Sequence, residues 1–242
     1  DPGNAVVRGM AGAGLNQGVG LRIAYARQAQ QNVFGRGVDV YQAAIDASKA
    51  YMAKAGSASK EYIALAQILI GANEINQAII LLEEAKLMYP KEPKLGVLLG
   101  HMYLKQNMKN TTARLFESSS IYDKKYLKDA IEINRRAQRL PHAIYLNSTN
   151  YDKIDQVRQE VAIYLDRAEY GKVIGLKKAL ERYKLLDDEN MRYALAYAYY
   201  MAGDYDKAET QLKRITDSEL FSKATLIRKN IEKCKNDAME CI

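Results

Sequence analysis

The 242-residue sequence contains no tryptophan, 4 prolines and 2 cysteines, and these shortages exclude several kinds of protein. Scarce proline and short β-branched runs argue against a sheet protein. No run of about 18 apolar residues occurs, so no transmembrane helix is predicted. The spacing of Cys234 and Cys241, in a chain with only 2 histidines, is not that of a metal site. Neither a metal nor a cofactor is therefore predicted.

The pairing of the two cysteines stays open at the level of the sequence. If one helix runs through Cys234 and Cys241, they lie roughly 10 Å apart along its axis, which is too far for a disulfide. If the helix frays near 236–237, the two residues could close a small loop.

Catalytic signatures are lacking as well. His101 and His142 are far apart in the chain, and no Ser–His–Asp or Cys–His spacing can be argued around them. The acidic stretch 187–189 lies at a predicted helix start, where its negative charges stabilise the helix N-terminus by interacting with the helix dipole. The glycine-rich stretch 1–20 lacks the ending of a phosphate-binding loop. The sequence predicts a protein that is not an enzyme, with 1–20 as a flexible arm.

The charge balance is mild. A formal net charge of +7 on a chain of this length favours a solvated, lysine-rich surface, and no nucleic-acid partner is predicted. The aromatic residues are 18 tyrosines and 3 phenylalanines. Tyrosine can bury its ring and keep its hydroxyl in water, as the surfaces of stacked helices require.

What the chain does contain is a helical pattern, clearest in 191–220. Gly203 suits the end of a first helix because glycine accepts the left-handed conformation, and Asp204 can cap a second helix. Both helices carry small and apolar residues at helical spacing: Leu195, Ala196 and Tyr199 in the first, Ala208 and Leu212 in the second.

This pattern resembles the tetratricopeptide repeat, whose period is about 34 residues. It recurs in two consecutive stretches, 59–92 and 93–126, although Thr112 replaces the alanine of the second helix. The matching residues are Tyr62, Leu65, Ala66, Leu69, Ala78, Leu82, Ala85 and Pro90, then Leu99, Gly100, Tyr103, Phe116 and Ser119. In 154–187, Tyr164, Tyr170 and Val173 overlay Tyr199, Tyr205 and Ala208. A degenerate first repeat is predicted over 25–58.

The repeat is irregular between these stretches. The segment 127–153 contains a basic helix at 127–139, and Pro141 should end or kink a helix there. The last repeat is 189–222, and 221–237 is predicted to be a charged amphipathic helix that caps the stack. The resemblance implies an all-α fold, a right-handed α-solenoid of antiparallel helix pairs, formed as a single domain over 21–242.

In this family the first helices of the repeats line a concave groove that receives peptides. The resemblance assigns nine residues to that groove: Ile63, Gln67, Ile70, Val97, His101, Leu104, Tyr193, Tyr197 and Tyr200. Chaperone-binding members use lysine, asparagine and arginine at such positions to hold a terminal carboxylate. Here the positions are mainly apolar or aromatic, which suits an amphipathic or extended apolar peptide. The three tyrosines could equally pack against a neighbouring helix.

The predicted function is a non-catalytic adaptor that binds another protein or a peptide segment. By resemblance it would serve a bacterial envelope complex for secretion, pili, flagella or polysaccharide export. The start at Asp1 and the glycine-rich beginning favour the periplasm or envelope, with the cytoplasm possible. A homo-oligomer is also possible.

The alternative function is the binding of an anionic polymer, polysaccharide or RNA, through a basic surface at 124–139. Its cations are interleaved with acids, which weakens the idea: Lys124, Lys125, Lys128, Arg135, Arg136 and Arg139.

Overall fold

The computed structural model describes residues 43, 45–51 and 58–236. The predicted arm at 1–20, most of the predicted repeat 25–58 and Cys241 lie outside the described residues. Residues 45–51 are helical, within the second helix predicted for that repeat. The chain divides into two compact units, the first ending at Tyr122 and the second beginning at Asp123.

The described part of the first unit consists of the helical residues 45–51 followed by four helices joined by short turns. Their bounds are α1 Ser59–Gly71, α2 Ile75–Met88, α3 Pro93–Lys105 and α4 Lys109–Tyr122. An apolar cluster runs from Ile45 to Met102 and includes the fully buried Leu65, Leu69 and Leu82.

Eight helices form the described part of the second unit, with short 3₁₀ turns at Lys124–Tyr126 and Leu185–Asp187. They are α5 Leu127–Arg136, α6 Leu140–Ser148, α7 Lys153–Asp166, α8 Tyr170–Gly175, α9 Lys177–Arg182, α10 Glu189–Met201, α11 Tyr205–Leu212 and α12 Ser218–Asn236. A second apolar cluster runs from Val157 to Ile231. The long helix α12 buries Leu220, Ala224, Ile227 and Ile231 in it, as the predicted capping helix should.

One backbone turn recurs at the end of the first helix of each pair. The turn residue has a positive φ, between 54° and 78°, at Asn73, Asn107, Gln138, Ala168 and Gly203. In every case the next residue donates its N–H to the carbonyl five residues back, at 2.9 Å. This is the Schellman arrangement that closes a helix and reverses the chain. The turn therefore marks five helix pairs, α1–α2, α3–α4, α5–α6, α7–α8 and α10–α11.

Two of these turns illustrate how far the sequence predicts local structure. Gly203 adopts φ 78°, and the Asp204 carboxylate accepts the backbone N–H of Lys207, as predicted. Pro141 does not kink a helix, because it lies in the first turn of α6. Proline is tolerated there because the first N–H groups of a helix have no intrahelical partner.

Small residues let the paired helices approach closely. A Cβ at Gly100 would lie 2.7 Å from a ring carbon of Phe116 on α4. Thr112, which replaces the expected alanine, is fully buried and donates its hydroxyl to the Gly100 carbonyl at 3.1 Å. In the second unit, Ala196 and Ala208 are fully buried between α10 and α11.

The fold class predicted from the sequence is confirmed. The described chain contains helices and no strands, arranged as antiparallel pairs with a helix closing the C-terminal end. The arrangement of the repeats as one domain over 21–242 stays a prediction.

Candidate functional site

The most distinctive side chains of the second unit are the tyrosines along α10. Tyr193, Tyr197 and Tyr200 share one side of the helix, while the opposite side buries Leu195, Ala196, Ala198 and Tyr199. All three tyrosines are half-buried and pack on the edge of the apolar cluster. They therefore pack against neighbouring helices and also keep part of their surface open to solvent. Packing in the core and contact with a bound peptide are compatible roles for these three residues.

The rings continue beyond α10. Tyr170 of α8 meets Tyr197 edge-to-face at 6.0 Å between ring centroids. Tyr197 lies 6.5 Å from Tyr200, which lies 6.1 Å from Tyr205 at the start of α11. Aromatic pairs at such distances stabilise one another beyond the area that they bury. A chain of four tyrosine rings thus connects three helices.

Burial changes the acidity of two of these phenols. It raises the pKa of Tyr197, and the charge and hydrogen bond of Tyr170 raise it further. Burial also raises the pKa of Tyr193, against the opposing charge of Lys223. Both hydroxyls stay protonated at neutral pH and can donate hydrogen bonds to a bound molecule.

Helix α7 packs beside α10 and contributes the next row of side chains. Counted back from the turn residues Ala168 and Gly203, Arg158 is equivalent to Tyr193, Ala162 to Tyr197 and Leu165 to Tyr200. Arg158 is exposed and makes no ion pair or hydrogen bond within the described residues. Ile154, one turn before Arg158, is 45% exposed. We call the surface formed by Ile154, Arg158, Ala162, Leu165, Tyr193, Tyr197 and Tyr200 the tyrosine face.

Ion pairs join α7 to α5. Lys128 of α5 pairs with Asp155 at 3.2 Å, and Arg135 of α5 pairs with Asp166 at 2.6 Å. Glu132 accepts from both Arg135 and Arg136. Burial by itself raises the pKa of Glu132, but those two arginines outweigh it and hold the pKa below its ordinary value.

These ion pairs bear on the basic surface predicted at 124–139. Lys125 pairs with Asp123, and Lys128, Arg135 and Arg136 each pair with a carboxylate. Lys124 is exposed and forms no ion pair with the described residues. The positive potential of this segment is thus largely neutralised by neighbouring acids.

The six groove residues predicted in the first unit differ in exposure. Ile63 and Val97 are each only 7% exposed, and Ile70 is half-buried. Gln67, His101 and Leu104 are exposed, and the His101 ring stands edge-on to Phe116 at 5.2 Å. The predicted set therefore divides into six residues in the first unit and three in the second. One continuous groove through all nine stays a prediction.

Sequence reasoning missed several members of the tyrosine face and its surroundings. Arg158, Ala162 and Leu165 were not singled out, although the overlay of Tyr164 on Tyr199 already implied their equivalence to Tyr193, Tyr197 and Tyr200. Tyr170 and Tyr205 were identified as repeat positions, and their stacking on Tyr197 and Tyr200 became visible only in three dimensions.

In the residues that the structure describes, no group of three or more His, Cys, Asp or Glu side chains is placed to hold a metal ion. None of the described helices combines the length and apolarity needed to cross a membrane. Cys234 is disulfide-bonded.

No protein-family model matches this sequence, and no curated protein matches it either. Solved structures do resemble it. A tetratricopeptide repeat protein from Parabacteroides merdae superposes with a TM-score of 0.56 at 13% identity, covering 93% of this chain and 90% of that one. YrrB, described as a tetratricopeptide repeat protein with an unusual peptide-binding site, superposes with a TM-score of 0.57 at 13% identity, covering 75% of this chain and 97% of that one.

The fold is the tetratricopeptide-repeat fold. In this fold each helix pair buries its apolar faces against the pairs before and after it. The tyrosine face belongs to the first helices of the last two described pairs, α7 and α10.

Proposed function

We propose that this protein is a non-catalytic scaffold that binds a peptide or protein segment on its tyrosine face. The observation that carries the proposal is the row of half-buried tyrosines on α10, opposed by Arg158, Ala162 and Leu165 on α7. Tyrosine rings fixed by packing offer a large contact area and lose little side-chain entropy on binding.

The chemistry of the face suggests the kind of segment that it accepts. Ala162 is the smallest side chain of the tyrosine face and occupies the repeat position equivalent to Tyr197. Ile154, Leu165 and the tyrosine rings provide apolar contact, while Arg158 and the protonated hydroxyls of Tyr193 and Tyr197 provide polar contact. A segment with apolar or aromatic anchors and an acidic residue near Arg158 fits this combination.

We propose, more specifically, that the scaffold helps to assemble a bacterial envelope complex. This role is supported by the disulfide at Cys234, since disulfides persist in oxidising compartments such as the periplasm and are rare in the cytosol. The fold also fits the role, because repeat stacks hold partners without chemistry of their own.

The test is affinity capture from an extract of the source cells, followed by mass spectrometry. Ala162→Arg places a long charged side chain on the tyrosine face without removing a buried group. Ala64→Arg is its matched control, since Ala64 is an exposed alanine on α1 in the first unit. A protein retained by the wild-type chain and by Ala64→Arg, and lost with Ala162→Arg, supports the proposal.

Two results would overturn the proposal. One is equal recovery of every captured protein by Ala162→Arg and Ala64→Arg. The other is recovery of RNA or anionic polysaccharide that disappears as salt is raised, since a polymer held by cations releases counterions on binding and weakens with salt. The compartment is tested separately by labelling intact cells with a membrane-impermeant amine reagent, which reaches a periplasmic protein once the outer membrane is permeabilised.

A further inference from the structure

The helix pair α5–α6 differs from the pairs α1–α2 and α10–α11 in what it buries. Four residues before each turn residue, α1 has Leu69 and α10 has Tyr199, whereas α5 has Asn134. Nine residues after the turn residue, α2 has Leu82 and α11 has Leu212, whereas α6 has Asn147. Asn134 is fully buried and Asn147 is 3% exposed. Two amides thus occupy positions that are apolar or aromatic in these other pairs.

These amides are only partly satisfied. The Asn134 side-chain nitrogen donates to the Ala130 carbonyl of its own helix at 2.8 Å. The Asn147 side-chain nitrogen donates to the Gln156 carbonyl of α7 at 3.0 Å. The Oδ1 atoms of both residues are buried and accept no hydrogen bond within the described part of the chain. A buried acceptor without a donor destabilises the closed structure relative to one that water can reach.

The contacts that hold α5–α6 to α7 are polar. The Gln156 side-chain nitrogen donates to the backbone carbonyl of Asn147 at 3.1 Å. The Asn150 side-chain nitrogen donates to the Asp155 carboxylate at 2.9 Å. The ion pairs of Lys128 with Asp155 and Arg135 with Asp166 lie at the same junction. Each of these groups can exchange its partner for water at small net cost.

The apolar cluster that contains α7 and α10 does not extend to α5–α6. The apolar cluster of the second unit begins at Val157. The buried apolar residues of α5–α6 lie outside that cluster: Leu127, Ala130, Ile131, Ile133, Ala143 and Leu146. Ile163 of α7 is also buried outside the cluster, so the apolar core that ties α7 to α10 does not continue into α5–α6.

We propose that α5–α6 is a joint that opens locally from α7 while the cluster from α7 to α12 stays folded. Opening exposes the two unsatisfied amide oxygens to water and separates the Lys128–Asp155 and Arg135–Asp166 pairs. It exposes the charged side chains of α5 and α7 that meet at this junction. The opening is a property of the free chain and does not depend on the proposed binding of a partner.

Hydrogen exchange of the intact chain, read by mass spectrometry, tests the joint. Peptides from 127–148 are compared with peptides from 191–212, which cover α10 and α11. We expect the slowest amides of 127–148 to exchange at least about tenfold faster, because local opening exposes them without global unfolding. Exchange in 127–148 that is as slow as in 191–212, or less than about tenfold faster, overturns the proposal.

A substitution tests the physical cause. Asn134→Leu places an apolar side chain where α1 has Leu69, and it should slow exchange in 127–148 without changing exchange in 191–212. Asn110→Leu makes the same chemical change at an exposed position of α4 and should leave both peptides unchanged. If Asn134→Leu leaves the difference between the two peptides intact, buried amides are not what loosens the joint.

Discussion

The helix pairs α5–α6 and α10–α11 have the same turn and bury different side chains behind it. In both, a residue with positive φ ends the first helix and a 2.9 Å bond closes the turn, at Gln138 and at Gly203. Behind the turn of α10–α11 lie Tyr199 and Leu212, and behind that of α5–α6 lie Asn134 and Asn147. The backbone geometry of the turn is therefore the same in both pairs, whereas the buried side chains differ. The turn depends on local hydrogen bonds, and the stability of a pair depends on the apolar surface that it buries against other helices.

The largest effect expected from this comparison comes from truncating equivalent side chains. Leu212→Ala removes a 2% exposed leucine from the core, and we expect a loss of about 3 kcal/mol in the free energy of unfolding. Asn147→Ala at the equivalent position should cost about 1 kcal/mol or less, since it loses one hydrogen bond and removes an unsatisfied acceptor. Urea unfolding followed by circular dichroism measures both, and equal losses would contradict the contrast.

A second effect extends the comparison to α3–α4, where Gly100 lies against the Phe116 ring. Gly100→Ala would place a Cβ 2.7 Å and 2.9 Å from two ring carbons of Phe116, and we expect a loss of about 2 kcal/mol. The control is Gly71→Ala at the end of α1, where nothing lies within 4 Å of the added Cβ.

Because alanine has the higher helix propensity, Gly71→Ala should stabilise the chain by about 0.5 kcal/mol. Thermal melts of the two variants measure these changes. A Gly100→Ala variant as stable as wild type would mean that the Phe116 ring moves aside freely.

A third, smaller effect concerns a buried polar group that is hydrogen-bonded, in contrast to the amide oxygens of Asn134 and Asn147. Thr112 is as buried as Asn134, yet its one hydroxyl proton has two carbonyl acceptors within reach, those of Gly100 and Met108. Thr112→Val should therefore cost about 1 kcal/mol in unfolding free energy. Thr210→Val is the control, because Thr210 is exposed. A Thr112→Val variant more stable than wild type would show that the hydroxyl contributes nothing.

The smallest effect concerns pH at the junction of α10 with the segment before α12. The Glu189 carboxylate accepts the Thr216 hydroxyl at 2.6 Å and the backbone N–H groups of Thr216 and Asp217 at 2.9 and 2.8 Å. The Thr216 hydroxyl first, and then the two backbone groups, hold the pKa of Glu189 below its ordinary value of 4.5.

Because the folded-state pKa is the lower one, the stabilisation is complete above the ordinary pKa and is lost as pH falls through the folded-state pKa. Glu189→Gln should lower the urea midpoint at pH 7, and the difference from wild type should shrink at pH 3. Glu232→Gln, at an exposed position of α12, is the control. A difference that stays constant between pH 7 and pH 3 would contradict ionisation of Glu189 as the cause.

The sequence predicted those parts of the candidate site that follow from the repeat. It placed Tyr193, Tyr197 and Tyr200 on one side of a helix, and they lie on one side of α10. It did not separate Ile63 and Val97 from Gln67 and His101, because exposure depends on what packs over a position and not on its place in the repeat. It also counted the cations of 124–139 without their partners, since Asp155 and Asp166 reach Lys128 and Arg135 only through the packing of α7 on α5.

By itself the sequence determined the all-helical repeat and the turn at Gly203, because these depend largely on interactions within a few residues along the chain. Gly203 and Asp204 specify their turn in this way. The tertiary structure alone decided which rings stack, which ions pair and which amides are left without a donor. Those outcomes are set by contacts between helices far apart in sequence, where the same residue is stabilising or destabilising according to the partner that reaches it.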